Sequence, residues 1–169
     1  MGEVGILGPD ERVELLNGRI ITMPPIGPRH AQAVRTLTHT FERLLSDRAV
    51  VSVQLPLDLD PASQPQPDVL LARLPAKTYA RVHPLPADCP LVVEVSETTL
   101  RHDAGEKLRA YALAGVAEYW IVDLLHDRIA VYTEPDGDFY RNQRTAARGE
   151  SVSPRAFPDV SIAVDDILA

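Results

Sequence analysis

The chain has 169 residues, of which 45% are apolar and 24% charged, and its formal net charge is −7. These values exclude wholesale disorder, and a chain of this length buries enough apolar surface to fold as about one domain. The single cysteine, Cys89, excludes an intramolecular disulfide and a cysteine-based zinc or iron–sulfur site. The acidic balance lacks the basic surplus typical of nucleic-acid-binding proteins, so any nucleic-acid surface has to be a local patch.

The first predicted elements are a hairpin and a helix. Apolar residues at 13–16 and 19–23 flank Asn17-Gly18, the strongest short hairpin signal. Three prolines and one glycine over 24–28 lead into a helix predicted at 29–47, and its apolar stripe contains Val34, Leu37 and Phe41. No charged-then-apolar leader and no run of about 18 apolar residues is present, so we expect a cytoplasmic protein without membrane contacts.

Strands and one further helix follow in alternation. Strands are predicted at 49–57, 68–72, 91–96, 118–124 and 160–164, a hairpin at 128–133 and 139–144 around Pro135-Asp136-Gly137, and a helix at 103–114 that ends before Gly115. Strands interleaved with helices predict an α/β fold with antiparallel additions.

Glu94 is the most informative residue. It lies inside the predicted central strand, on the same face as Val92 and Ser96. A buried, unpaired carboxylate there lowers the stability of the fold by roughly several kcal/mol. It therefore needs a cation, a network of hydrogen-bond donors or a metal as its partner. The alternative is a strand-end glutamate that reaches solvent or a surface salt bridge.

Two more residues fall near Glu94 in the predicted order. Asp68 begins the strand that precedes the Glu94 strand, although it also fits a turn-capping role. Lys107 follows on the next helix, where an i,i+4 surface ion pair with Asp103 is the plainer interpretation. Two carboxylates on neighbouring strands and one lysine suit metal-assisted phosphodiester hydrolysis, because hard oxygen ligands hold Mg²⁺ and an ammonium orients the attacking water.

The ordered set of motifs resembles the Uma-type putative restriction endonucleases, a bacterial branch of the PD-(D/E)XK nuclease superfamily. The resemblance covers nearly the whole chain and is carried by residues 13–19, Met23-Pro24-Pro25 with Pro28-Arg29-His30, Pro67-Asp68-Val69, residues 93–96, Asp103 with Lys107-Leu108 and Tyr111, and residues 114–123. It implies one nuclease-like domain over residues 1–169, with a restriction-endonuclease-like mixed β-sheet flanked by helices. It places the site on the two carboxylate strands.

One departure from the superfamily pattern concerns the lysine. The usual motif has a lysine two residues after the acidic residue, where this chain has Ser96. The resemblance therefore suggests that the lysine has moved to the helix, at Lys107. It also implies a role near the metal for Glu14.

Several residues are weaker candidates for contacts with the substrate. His30 is predicted to contact phosphate, with a packed or helix-capping histidine as the alternative, and Gln54 and Ser96 are predicted to line the site. Arg29, Arg35 and Arg101 are expected at its mouth. Trp120 is expected in the core.

These observations predict a metal-dependent DNA endonuclease in which Asp68 and Glu94 hold Mg²⁺, or Mn²⁺ in its place, and Lys107 assists the attacking water. Two alternatives stay open, a catalytically silent binding module with a nucleic-acid-processing partner and a phosphodiesterase acting on RNA or small molecules. We expect a homodimer, because one site per chain cuts both DNA strands only in two copies or two events.

Overall fold

The computed structural model describes residues 12–168 of the chain. It begins with a hairpin of β1 (Val13–Leu16) and β2 (Arg19–Thr22), which pair antiparallel as a separate two-stranded sheet. Asn17 and Gly18 have φ angles of 51° and 73°, so both turn residues adopt the left-handed conformation that a type I′ turn requires. The predicted hairpin is confirmed, and its strand β2 ends one residue earlier than expected.

Helix α1 (Pro28–Leu45) follows the proline-rich entry, with proline in its first turn. Its buried stripe includes Val34, Leu37, Phe41 and Leu45, as the apolar spacing predicts. The helix ends two residues before the predicted boundary.

Six strands form one mixed sheet in the order β3-β4-β5-β6-β7-β8. They are β3 (Val50–Val53), β4 (Val69–Ala72), β5 (Leu91–Ser96), β6 (Glu118–Asp123), β7 (Arg128–Asp136) and β8 (Phe139–Ala147). Only β5 and β6 run parallel, joined by a helical crossover, and every other neighbouring pair is antiparallel. The predicted α/β class and mixed sheet are therefore confirmed.

The two faces of the sheet carry separate apolar cores. On one face, α1 packs over alternate residues of β4 and β5, and Trp120 lies fully buried there as expected. The other face is covered by a helical segment and is rich in tyrosine, with Tyr111 and Tyr119 fully buried. Residues Val92, Glu94 and Ser96 of β5 belong to this second face, because side chains alternate along a strand.

The helical segment on the second face spans residues 100–113 and is here named the bulged helix. It consists of α2 (Leu100–His102), a π-helical turn (Asp103–Lys107) and α3 (Leu108–Leu113). It begins three residues before the predicted start, and nothing in the periodicity indicated the π turn. Gly115 follows its end with φ 78°, as the predicted C-terminal glycine requires.

Several boundaries at the ends of strands differ from the sequence-based expectation. Strand β3 ends at Val53 because Gln54 has φ 52°. The β7–β8 hairpin is longer than predicted, with Pro135 paired to Tyr140 inside the ladder and the turn at Gly137-Asp138. The connector after β4 contains two 3₁₀ helices, Ala76–Ala80 and Pro86–Asp88.

The chain closes with a short hairpin and helix, β9 (Ser151–Val152), β10 (Ile162–Ala163) and α4 (Val164–Ile167). The predicted strand at 160–164 is thus reduced to two residues. None of the helices within 12–168 has the length and hydropathy that a membrane crossing needs.

Candidate active site

Asp68 and Glu94 lie on the same face of the sheet. Strands β4 and β5 are antiparallel with Val69 opposite Val93, so one further step along the ladder sets Asp68 opposite Glu94. Residues directly opposite in an antiparallel pair share a face. Both residues are at least 95% buried, and both contribute to one cleft. The expected juxtaposition of the two carboxylates is therefore present.

Asp68 is held by three donors. Its Oδ1 lies 2.9 Å from His30 Nε2 and accepts a hydrogen bond of 3.0 Å from Gln54 Nε2, while Oδ2 accepts one of 2.9 Å from the Val95 amide. Burial alone raises the pKa of Asp68, but the contacts with His30 and the hydrogen bonds outweigh it and hold the pKa below its ordinary value. Asp68 is therefore a fixed, ionised carboxylate.

The pKa of Glu94 is shifted in the opposite direction from that of Asp68. Its Oε1 accepts hydrogen bonds from Lys107 Nζ at 2.9 Å and from the Tyr111 hydroxyl at 2.7 Å. Burial nevertheless raises the pKa of Glu94 to about 8, and the negative charge of Asp68 acts in the same direction. None of the described residues donates a hydrogen bond to its Oε2, and that atom is not sealed from solvent.

Lys107 bridges two carboxylates. Its Nζ lies 2.9 Å from Glu94 Oε1 and 2.9 Å from Glu14 Oε2, and its side chain is only 4% exposed. Burial lowers the pKa of Lys107, but the surrounding carboxylates outweigh burial and raise the pKa above its ordinary value. The ammonium therefore stays charged, as part of a buried network and not a surface ion pair.

The π turn explains how Asp103 and Lys107 serve different partners. Asp103 Oδ2 accepts hydrogen bonds from the hydroxyls of Ser96 at 2.6 Å and Thr99 at 2.5 Å. Asp103 thus ties the bulged helix to the end of β5, while Lys107 points to Glu94. The surface ion pair between Asp103 and Lys107 considered from their spacing is wrong, because both side chains are buried and contact other groups.

Glu14 enters the site from outside the main sheet. The β1–β2 hairpin carries it, and the Gln66 amide donates to Oε2 at 3.3 Å while Lys107 contacts the same atom. Burial raises the pKa of Glu14, but contacts with His102 and Lys107 lower it more, so the net pKa lies below its ordinary value. The hairpin tip is fixed to the bulged helix, because Glu106 accepts hydrogen bonds from Asn17 and Arg19.

These groups surround a cleft of about 680 Å³. Its floor contains Glu14, Asp68, Glu94 and Lys107. One wall is the chain from Ile21 to Gly27, and the other is the loop after β5 with the first half of the bulged helix. Four buried carboxylates and one lysine leave the site with a surplus of negative charge.

Most of the predicted site residues line the cleft, and one lies outside it as a partner of Asp68. The structure brings Glu14, His30, Asp68, Glu94 and Lys107 to the cleft, and Arg101 lies at its edge. Gln54 lies behind Asp68 as its hydrogen-bond partner.

Three predicted contacts with the substrate are corrected by the structure. Ser96 is fully buried and donates to Asp103, so it does not reach the cleft. Arg29 donates to the Leu124 carbonyl at 2.9 Å and pairs with Asp127, because its place in the first turn of α1 directs it away from the site. Arg35 hydrogen-bonds to Gln32 on the exposed side of α1.

Sequence reasoning missed four residues of the site. The hydroxyl of Tyr111 contacts Glu94, and its i+4 spacing from Lys107 is the signal that was available. Arg12, His102 and Glu106 also line the cleft, and no sequence signal marked them. His102 Nε2 is buried without a hydrogen-bond partner among the described residues and lies 3.5 Å from Glu14 Oε1.

Comparisons with known proteins identify the fold and the family of the chain. The crystal structure of a putative nuclease belonging to DUF820 from Anabaena variabilis superposes with a TM-score of 0.80 at 12% sequence identity, covering 98% of this chain and 94% of that chain. That similarity establishes the fold. No curated protein matches the chain. The family model Uma2, described as putative restriction endonuclease, matches residues 4–165. The chain therefore belongs to the Uma2 family of putative restriction endonucleases.

Proposed function

We propose that the protein is a metal-dependent DNA endonuclease that hydrolyses phosphodiester bonds with Mg²⁺, or Mn²⁺ in its place. One observation carries the proposal: Asp68 and Glu94 meet on one sheet face at the floor of a cleft, with the buried Lys107 ammonium 2.9 Å from Glu94. Membership of the family supports the nuclease activity.

The residues present suit a hard divalent cation. Asp68 and Glu94 supply carboxylate oxygens, and Glu94 Oε2 is without a donor among the described residues. Residues 12–168 contain no group of three or more histidine, cysteine, aspartate or glutamate side chains placed to ligate a metal. A Mg²⁺ ion bound by one or two carboxylates takes its other ligands from water and substrate phosphate, so two carboxylates suffice. The surplus of negative charge also favours a cation.

The side chains divide the remaining work. The cation, when bound, would polarise the phosphate and lower the pKa of a water molecule. Lys107 directs two N–H bonds to Glu94 and Glu14, which leaves its third for a water or a phosphate oxygen. Because its pKa is raised, Lys107 orients and neutralises but does not accept a proton. His30 holds Asp68 in place and lines the cleft.

A cleavage assay tests the proposal. Supercoiled plasmid and single-stranded DNA are each incubated with the protein in Mg²⁺, Mn²⁺ or EDTA, and the cleaved products are measured. We expect cleavage only with metal, and a loss of about 10²–10³-fold in Asp68→Asn and Glu94→Gln, since each removes a charged ligand. Glu118→Gln is the matched control, because Glu118 is equally buried but contacts Trp120 and the Arg155 amide.

The same experiment tests the alternative of a catalytically silent binding module. DNA binding without cleavage by the wild-type protein would favour the silent binding module. Full activity in both Asp68→Asn and Glu94→Gln would refute the site. Because each chain carries one site, we also propose a homodimer, and light scattering on the purified protein checks it.

A further inference from the structure

The wall of the cleft formed by Ile21 to Gly27 is apolar. Ile21, Met23, Pro24, Pro25 and Ile26 all line it, and Ile26 is 40% exposed. The wall adjoins the carboxylate floor, so a group bound at the floor has apolar surface directly beside it. A charged phosphate gains nothing from contact with an apolar surface. The face of an unstacked base does, since apolar side chains pack against extruded bases.

Cations are few around the same cleft. Arg12 and Arg101 line it, and neither forms an ion pair with a carboxylate of residues 12–168. Lys107 is already paired twice. Six acidic residues line the cleft: Glu14, Asp68, Glu94, Glu97, Asp103 and Glu106. This arrangement offers contacts for about two phosphates beyond the reacting one, which is poor support for the two charged strands of a duplex.

Most other arginines with described contacts do not supply a duplex-binding surface. Seven of them pair with acidic side chains: Arg19, Arg29, Arg48, Arg128, Arg141, Arg148 and Arg155. Their charges are balanced where they lie. The cleft volume of about 680 Å³ is in the range of pockets that enclose a ligand of small-molecule size, such as one nucleotide unit.

We propose that the cleft accepts an unpaired DNA strand, with the phosphodiester over Asp68 and Glu94, a base against the apolar wall, and the neighbouring phosphates on Arg12 and Arg101. This inference rests on the proposed function and names its substrate class. A base inside a duplex is stacked and paired, so it cannot lie on the wall unless it is first extruded. Single-stranded DNA, or an unpaired tail on a duplex, presents such a base at no unpairing cost.

A binding measurement tests the wall independently of catalysis. Fluorescence anisotropy with Ca²⁺ in place of Mg²⁺ compares one labelled oligonucleotide as a single strand and as a duplex of the same sequence. We expect the single strand to bind about tenfold more tightly. Ile26→Ser should weaken that binding about three- to tenfold, as loss of part of a base-stacking surface does. Ile20→Ser is the matched control, since Ile20 is 45% exposed on the hairpin that precedes this wall but does not line this cleft.

The salt dependence tests the two arginines. For single strands, log K falls with log salt by about 0.7 for each phosphate contact. Arg12→Gln and Arg101→Gln should therefore each reduce the slope by about 0.7, whereas Arg141→Gln, which removes an exposed arginine paired with Asp136, should leave it unchanged. Equal slopes in all three variants would overturn the assigned phosphate contacts.

Mapping of the cleavage positions with Mg²⁺ tests the same inference in the active enzyme. On a duplex with a single-stranded tail, the cuts should fall in the tail. Equal cleavage of the duplex and the tail, together with equal binding by Ile26→Ser and Ile20→Ser, would overturn the inference and leave the proposed nuclease intact. If no DNA is cleaved but the single strand still binds more tightly in the Ca²⁺ assay, the proposed nuclease function would be overturned. The binding of an unpaired base to the apolar wall would then still be supported.

Discussion

The two faces of the central sheet are built from different chemistry. Beneath α1, alternate side chains of β4 and β5 are apolar and pack on Leu37, Phe41 and Trp120. Beneath the bulged helix, the same strands present Asp68 and Glu94 beside buried tyrosines. Both faces therefore gain stability from apolar burial, but the second face also keeps the Asp68–Glu94–Lys107 charges out of water at a cost in stability.

The charged face shows how that cost is contained. Each buried carboxylate has an identifiable partner: His30 and the Val95 amide for Asp68, Lys107 and Tyr111 for Glu94. The partners come from α1, from β5 and from the bulged helix. The site therefore lies where α1, β5 and the bulged helix meet. Variants on the α1 face should change stability alone, whereas variants on the site face should also change activity.

Lys107→Ala should have the largest effect, because it removes the ammonium between Glu14 and Glu94. We expect cleavage to fall about 10²–10³-fold and unfolding free energy to fall about 3–5 kcal/mol near neutral pH, since the ionised Glu14 loses its cation and Glu94 loses a hydrogen-bond donor. Urea unfolding and plasmid cleavage measure both effects.

A matched pair of variants keeps this prediction testable. Lys77→Ala changes the other lysine, which is exposed in a 3₁₀ helix, and should change neither quantity. The double variant Lys107→Met with Glu94→Gln should recover part of the stability but no activity, because the pair is neutralised together. Unchanged cleavage in Lys107→Ala would contradict the assigned role.

Phe41→Ala should act on the apolar face alone. Phe41 is fully buried, with its ring 6.4 Å from that of Trp120, and its truncation should cost about 3–5 kcal/mol of unfolding free energy. Affinity for Mg²⁺ should be unchanged under conditions where the variant is folded, as measured by calorimetry. A fall in Mg²⁺ affinity comparable to that of Glu94→Gln would show that the two faces are coupled.

Local patterns predicted much of the fold. The Asn17-Gly18 turn, the apolar stripe of α1 and the buried strand β5 each follow from spacing that one segment carries by itself. The positions of Asp68, Glu94 and Lys107 were also predicted, because strand order and the following helix bring them to one end of the sheet. Their catalytic roles stay predictions.

Features that depend on contacts between distant segments were not predicted. Arg29 and Ser96 find partners in Leu124 and Asp103, and neither partner is visible in the local sequence. The π turn inserts one extra residue where Asp103 and Lys107 contact different partners, and a prediction from regular helical periodicity does not include such a turn. His102 was overlooked because a lone histidine carries no spacing signal.

The titration of Glu94 should give a smaller effect, confined to the charged face. Its pKa in the metal-free fold is about 8, above the ordinary value of 4.5, so its contribution to stability is present below about pH 4.5 and is lost as pH rises through 8. Glu94→Gln should therefore become more stable than wild type above pH 8, by about 1 kcal/mol or more. Urea unfolding in EDTA from pH 5 to pH 8.5, roughly the span of this titration, measures the difference.

Mg²⁺ affinity should follow the same titration in the opposite sense. A proton on Glu94 competes with the cation, so the affinity should rise up to about tenfold per pH unit below pH 8 and level off above it. Calorimetry over this range measures it. If the Mg²⁺ affinity does not change between roughly pH 6 and 8, Glu94 is already ionised in the metal-free protein, which would contradict its raised pKa.

Tyr111→Phe should give the smallest effect and the most local one. The tyrosine hydroxyl donates a hydrogen bond of 2.7 Å to Glu94 Oε1, and its loss should cost about 1 kcal/mol of unfolding free energy. The lost donor stabilised the ionised carboxylate, so the pKa of Glu94 should rise further and the pH at which Mg²⁺ affinity levels off should move upward. Tyr140→Phe is the control, because that buried hydroxyl on the same face donates to the Val116 carbonyl at 3.0 Å. It should cost similar stability and leave the pH profile of Mg²⁺ binding in place. Equal shifts of that profile in both variants would mean that loosened packing, and not the bond to Glu94, controls the carboxylate.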